Sequence, residues 1–268
     1  RRALSAIPIE EKNTFSWIQG VRDCMEIKQL MPHTSLISVM DREADFFEIF
    51  DDQRRKSSRV DLLIRAQHNR KTMGEHKLFE EVMQSPVQSR ITIKIPRQSA
   101  RVKKKNQKAR SKRAARIAEV TVRYKRAELK PPPYFQEMPP ISLWIIHVKE
   151  ENPPAGTKAV EWFLLTTIDL QSPSDALNCI AWYCLRWRIE DWHRVLKSGC
   201  GVEALAHKTA ERLRRAIAIN LVIAWRIMLM TLLGREMPEL PPEVLFSDIE
   251  IKVLQAYAKK KALTSRAL

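Results

Sequence analysis

The sequence predicts an α/β fold carrying an antiparallel, β-rich insert, and three observations predict it. Two short apolar runs, Ser35–Met40 and Val60–Ile64, flank a stretch with helical spacing, the pattern of two parallel strands joined by a helix. Residues 76–168 read as strands punctuated by prolines. From Ser172 onward the apolar spacing turns helical.

The elements follow in order. Ser35–Met40 is apolar, partly β-branched and ends at Asp41, as a buried strand would. Arg42–Phe50 places Ala44, Phe47, Ile49 and Phe50 at helical spacing, and Val60–Ile64 is the second strand. Arg90–Ile95 alternates through Ile91, Ile93 and Ile95. Ala118–Tyr124, Ile141–Val148 and Glu161–Thr167 are the further strands, set apart by Pro131–Pro133, Pro139, Pro140, Pro153 and Pro154. Ser172 or Ser174 can cap a helix, Pro173 suits its first turn, and Asp175 complements its dipole. That helix is predicted to run to Ser198, where Gly199 and Gly201 stop it. Thr209–Leu233 and Glu243–Lys261 are two more helices, with Pro238, Pro241 and Pro242 between them. The expected organisation is a strand–helix–strand core at 1–75, the insert at 76–168, two long helices at 169–236 and a further helical region at 237–268.

Lys and Arg number 47 against 31 Asp and Glu, a formal charge of +16, so polyanions are the expected partners. Between two predicted strands, Arg101–Arg116 holds nine Lys or Arg and no acid. Such a block cannot pack. Lys103, Lys104, Lys105, Arg110, Lys112 and Arg113 are expected to lie along phosphates. Ala216–Gly234 is apolar enough for a membrane span, but Arg226 and Asn220 lie inside it, so a buried core helix and no membrane partner are expected. Arg1–Asn13 lacks the apolar core of a signal peptide. Cys24, Cys179, Cys184 and Cys200 form no C-x-x-C pair, which fits a reducing cytoplasm.

Tyr183, Arg186, Glu190 and Lys197 fall within about 60° of one another on an ideal helix. Trp182, Leu185, Ile189, Trp192 and Leu196 fall on the far side, which is expected to be the buried face. Taken alone, the polar strip reads as a solvated face with an Arg186–Glu190 pair. Asp41 at the end of a buried strand adds a second reading. A carboxylate there and one on a helix packed against the sheet can share a divalent metal for phosphoryl transfer, with Arg and Lys holding phosphates. His193 and Cys184, near the strip, are read as structural.

Asp41-Arg42-Glu43-Ala44-Asp45 after an apolar strand resembles the segment around the second catalytic Asp of DDE transposases of the bacterial IS-four group, the Tn-five type among them. Tyr183-x2-Arg186-x3-Glu190-x6-Lys197 matches that group's signature at every interval. Val60–Arg65 and Glu161–Thr166, the latter after Asn152-Pro153-Pro154, are similar to its flanking strands. The resemblance covers roughly residues 30–255. It implies a partial RNase H-like (retroviral-integrase-like) core interrupted by the β-rich insert, with residues 237–268 beginning a dimerisation region. It implies cut-and-paste transposition with Mg²⁺ or Mn²⁺: nicking at a transposon end, hairpin formation and strand transfer into target DNA by a homodimer in a synaptic complex, in the bacterial cytoplasm. By the same resemblance Asp41 and Glu190 are catalytic metal ligands. Tyr183, Arg186 and Lys197 bind DNA phosphates, Trp162 stacks on a flipped base, and Arg65 lies near the active site. A third carboxylate is required. Glu10, Glu11, Asp23 and Glu26 sit in polar or helical contexts, not at the end of an apolar strand. With Arg1 in place of an initiating Met, the expectation is a chain truncated at both ends, one that binds DNA without cleaving it. The alternative is a catalytically inactive DNA-binding remnant or regulator.

Overall fold

The computed structural model describes residues 7–56, 60–95, 97, 100, 112 and 114–265. The chain divides into two units, residues 1–186 and 187–268.

The first unit contains α1 (Phe15–Leu30), β1 (Ile37–Met40), a 3-10 turn (Arg42–Ala44), α2 (Phe47–Arg55), β2 (Asp61–Arg65), α3 (Leu78–Met83), β3 (Ser89–Ile95), β4 (Arg116–Leu129), β5 (Ile141–Glu150), β6 (Glu161–Thr166) and α4 (Pro173–Leu185). Its strands form one six-stranded sheet in the order β1-β2-β6-β5-β4-β3. β1 and β2 are parallel, and β2 pairs antiparallel with β6. The strands at 89–166 therefore do not form a sheet of their own. β6 joins them to the strand–helix–strand unit through the pairs Leu63↔Thr166 and Arg65↔Leu164.

Successive side chains in a strand point to opposite faces, and both faces of this sheet are covered. Leu62, Ile64, Leu129, Ile145 and Leu165 meet Ile18 and Val21 of α1, Ile49 and Phe50 of α2, and Leu78 and Val82 of α3. Leu63, Val120, Ile146, Val148 and Leu164 meet α4 on the other side.

α4 packs mainly by a stripe other than the expected one, although Trp182 of the expected face packs partly against the same cluster and Leu196, further along the chain, is buried. Ala176, Cys179, Ile180 and Tyr183 are buried, whereas Leu185 is 54% exposed. Offsets of 0, 3, 4 and 7 make one helical stripe, and the small Ala176 and Cys179 let the helix approach the sheet closely. Nor does the helix run unbroken to Ser198. After Leu185 the Arg186 N–H donates to Tyr183 O (3.1 Å) and the Glu190 N–H to Trp187 O (3.0 Å), each three residues back.

The second unit opens with α5 (Arg188–Arg194) and a π-helical turn (Val195–Gly199), in which the Cys200 N–H reaches five residues back to Val195 O (2.9 Å). Gly201 follows at φ +61°, a left-handed position that favours glycine and ends the helical run. α6 (Ala210–Glu236) and α7 (Asp248–Ser265) complete the unit. The Trp192 indole donates to Leu221 O (3.3 Å), and Arg226 pairs with Glu250 (2.7 Å) with its guanidinium over Phe246. α6 is long and apolar enough to cross a membrane by length and composition. The expected burial of this helix is not found: Ala224 is buried, but Ile219, Val222 and Trp225 are more than half exposed.

Candidate functional site

Parallel pairing of β1 and β2 brings their carboxyl ends to one edge of the sheet. The register Met40↔Ile64 sets Asp41 beside Arg65. Asp41 caps the 3-10 turn that follows, accepting from the Glu43 N–H through Oδ1 (3.0 Å). Its Oδ2 faces the Arg186 guanidinium at 3.9 Å, and the side chain is 39% exposed. One carboxylate oxygen is thus spent on the turn and the other looks outward.

β6 and α4 complete the corner. The Arg65 guanidinium lies 5.9 Å from the centre of the Trp162 ring, a cation–π distance. Trp162 meets Tyr183 edge to face, with centroids 5.5 Å apart and planes at 64°. Tyr183 owes its place to the buried stripe of α4. Burial holds the Arg65 pKa below the ordinary guanidinium value. Tyr183 opposes that shift, while the neighbouring charges of Arg42 and Arg186 add to it. One carboxylate therefore sits among three guanidiniums, a phenol and an indole. Arg42 was missed from the sequence, although it directly follows Asp41.

Of the predicted residues, Asp41, Arg65, Trp162, Tyr183 and Arg186 meet at this corner. Glu190 and Lys197 belong to the second unit. Glu190 is exposed in the first turn of α5. Lys197, in the π-helical turn, pairs with Glu203 at 3.0 Å, both side chains more than half exposed. His193 lies on α5 with its ring 5.1 Å from that of Trp192. Lys103, Lys104, Lys105, Arg110 and Arg113 fall outside the described residues, and Lys112 is exposed. Burial pushes the Cys179 thiol up to about 12, which leaves it no thiolate at neutral pH.

Asp45, the last residue of the Asp41–Asp45 segment, is not part of the corner. Its side chain is fully buried, ion-paired with Arg70, and accepts the Gln67 and His68 N–H groups at 2.6 and 2.9 Å. It fastens the segment after β2 to the end of the 3-10 turn.

No group of three or more His, Cys, Asp and Glu side chains that could hold a metal ion occurs among the described residues. Within the first unit, Asp41 brings a carboxylate to the corner, with the Arg186 guanidinium 3.9 Å from its Oδ2. A family model described as the transposase DDE domain matches residues 21–226.

Proposed function

The chain belongs to the DDE transposase family, DNA-acting enzymes that normally use divalent metal ions, and from that premise we propose a cut-and-paste transposase of the IS-four group built on an RNase H-like core. The observation that carries this reading is the cationic corner at Asp41. Arg42, Arg65 and Arg186 hold a DNA phosphate beside the carboxylate, and Tyr183 orients Arg65. Trp162, next to them on β6, offers a face to a base drawn out of its stack. Asp41 serves as one carboxylate ligand of a divalent ion. Glu190 serves as another, on the strength of its place in the Tyr183–Lys197 signature. The substrate is double-stranded DNA, transposon end and target alike, handled in the cytosol by a homodimer. The basic block at 101–116 adds sequence-independent contacts to the backbone.

A second reading keeps the DNA binding of the corner without cleavage: a DNA-binding protein derived from a transposase.

The test is binding of the 268-residue chain to duplex DNA over a salt series. The Arg65→Gln/Arg186→Gln pair should weaken binding at least tenfold and flatten the salt slope by about 2, since each lost phosphate contact removes roughly 0.9 from it. An unchanged slope would overturn the assignment of the corner. Nicking of an end-bearing duplex with added Mg²⁺ or Mn²⁺ separates the two readings: activity lost in Glu190→Gln supports the enzyme, and no activity in either protein supports the binding remnant.

A further inference from the structure

A second basic cleft lies on the α1–α3 side of the sheet. It encloses about 850 Å³ between the start of α2, residues 68–71 and the segment 130–136, within the size range of ligand clefts. Its cations are not explained by the fold. Thr72 pairs with Leu129 in an isolated antiparallel bridge, and the Lys130 N–H donates to Lys71 O (3.0 Å). Lys71 and Lys130 therefore stand directly across from each other. Like charges so placed are destabilising unless an anion lies between them. Both are exposed, and neither forms an ion pair among the described residues.

The acids nearby do not neutralise the pair. Asp45 is committed to Arg70, and Glu48 is 3.7 Å from Lys12. Glu128, two residues before Lys130, lines the neighbouring hollow beside Arg126. His68, also at the cleft, has its backbone N–H fixed by Asp45. Pro131–Pro133 and Tyr134 line the same cleft. Tyr134 is 47% exposed, and Lys12 lies 5.9 Å from its ring centre.

Paired cations in one cleft with an exposed aromatic ring and a run of prolines have the two parts that single-strand binding uses: charge for the phosphodiester and a flat apolar surface for the base. We propose that this cleft is a second DNA contact, which takes a short single-stranded segment with its phosphates on Lys71 and Lys130 and one base on Tyr134. It rests on the DNA-acting role of the family. The Asp41 corner is built from other residues, so the two sites can be tested separately.

The experiment is fluorescence anisotropy of a labelled oligo(dT) of about 10 nucleotides, within the range of single-strand site sizes, with a duplex measured in parallel. Lys71→Ala/Lys130→Ala should reduce the salt slope for the single strand by about 1.4, at roughly 0.7 per contact. Tyr134→Leu should weaken the single strand at least fivefold, the lower end of what one stacked base contributes, and leave the duplex within twofold. Arg65→Gln/Arg186→Gln should do the reverse, so failure of the corner does not count against the cleft. Unaltered single-strand binding in both cleft variants would overturn the proposal. So would displacement of the oligonucleotide by millimolar inorganic phosphate together with no effect of Tyr134→Leu, which would mark a site for free phosphate. Thermal melts of Tyr134→Leu should match the parent, because the side chain is exposed, and those of Lys71→Ala/Lys130→Ala should not fall below it, because the pair of like charges is removed.

Discussion

Asp41 and Asp45 open and close one five-residue motif, yet the first side chain is 39% exposed and the second is fully buried. Asp41 makes one hydrogen bond to its own turn and turns its other oxygen toward Arg186. Asp45 accepts two backbone N–H groups and holds Arg70. A buried charge persists only when it is paired and hydrogen-bonded, and Asp45 meets both conditions within its own unit. Asp41 meets neither fully, which is the state of a group left open for a substrate. The comparison teaches that residue type and spacing nominate two acids, while burial and partner count separate the one that holds the chain from the one that faces solvent.

The largest effect belongs to the buried acid. Asp45→Ala leaves Arg70 unpaired and two N–H groups without acceptors, and should cost about 3–5 kcal/mol, the usual penalty for breaking a buried pair from one side. Denaturant unfolding measures it. A loss under about 1 kcal/mol would show that water replaces the carboxylate, and the contrast between the two acids would fail.

The same contrast divides α4. Ala176 is wholly buried against the sheet and Leu185 is 54% exposed. Ala176→Leu should destabilise by about 1–3 kcal/mol through overpacking. Leu185→Ser should stay within about 0.5 kcal/mol, as surface changes do. The reverse ranking would restore the face that amphipathic spacing proposed.

That face shows where the sequence was and was not legible. All six strands were readable because each is a short apolar or alternating run bounded by proline, glycine or charge. The parallel β1–β2 pair followed from the helix between them. α4 misled because the large Leu185 outweighs the small Ala176 and Cys179 in a hydrophobic count, although small residues are what bring a helix close to a sheet. The break after Leu185 carries no sequence mark: Arg186 and Trp187 are neither glycine nor proline, and the change lies in hydrogen bonds shortened to three residues. α1 and α3 were missed, the first because its polar residues blur the periodicity and the second because it is a single short helix. At the candidate corner, the family resemblance nominated Asp41, Arg65, Trp162, Tyr183 and Arg186, and the fold brings them together. The role of Asp45 was not, since its partners Arg70, Gln67 and His68 come from a segment with no pattern of its own.

His147 is an intermediate case, buried yet only half satisfied. Its Nε2 lies 3.0 Å from Glu161, its ring stacks on Phe163 at 4.4 Å, and its Nδ1 has no partner among the described residues. Burial holds its pKa below the ordinary histidine value, against the pull of Glu161. The unfolded chain then takes up the proton first as pH falls. Stability should be level above pH ~6.5 and decline below it, by at most ~1.4 kcal/mol per pH unit, until the folded histidine also protonates. His147→Phe keeps the stack and should remove that part of the decline. An identical pH profile in the variant would mean that other groups carry the acid sensitivity.

The smallest stability effect is expected at Asp41, and it is the most informative about function. Asparagine also caps turns, so Asp41→Asn should leave the melting transition within about 0.5 kcal/mol. Removing the one negative charge from among Arg42, Arg65 and Arg186 should at the same time tighten duplex binding. A charge pair about 4 Å apart is worth ~1 kcal/mol in a water-like dielectric, or roughly fivefold in Kd. A structural acid cannot behave this way, because its removal costs stability and returns no affinity. A variant that binds DNA more weakly than the parent would mean that the carboxylate positions the arginines rather than competing with phosphate for them. In that case Asp41 would share the anchoring role of Asp45.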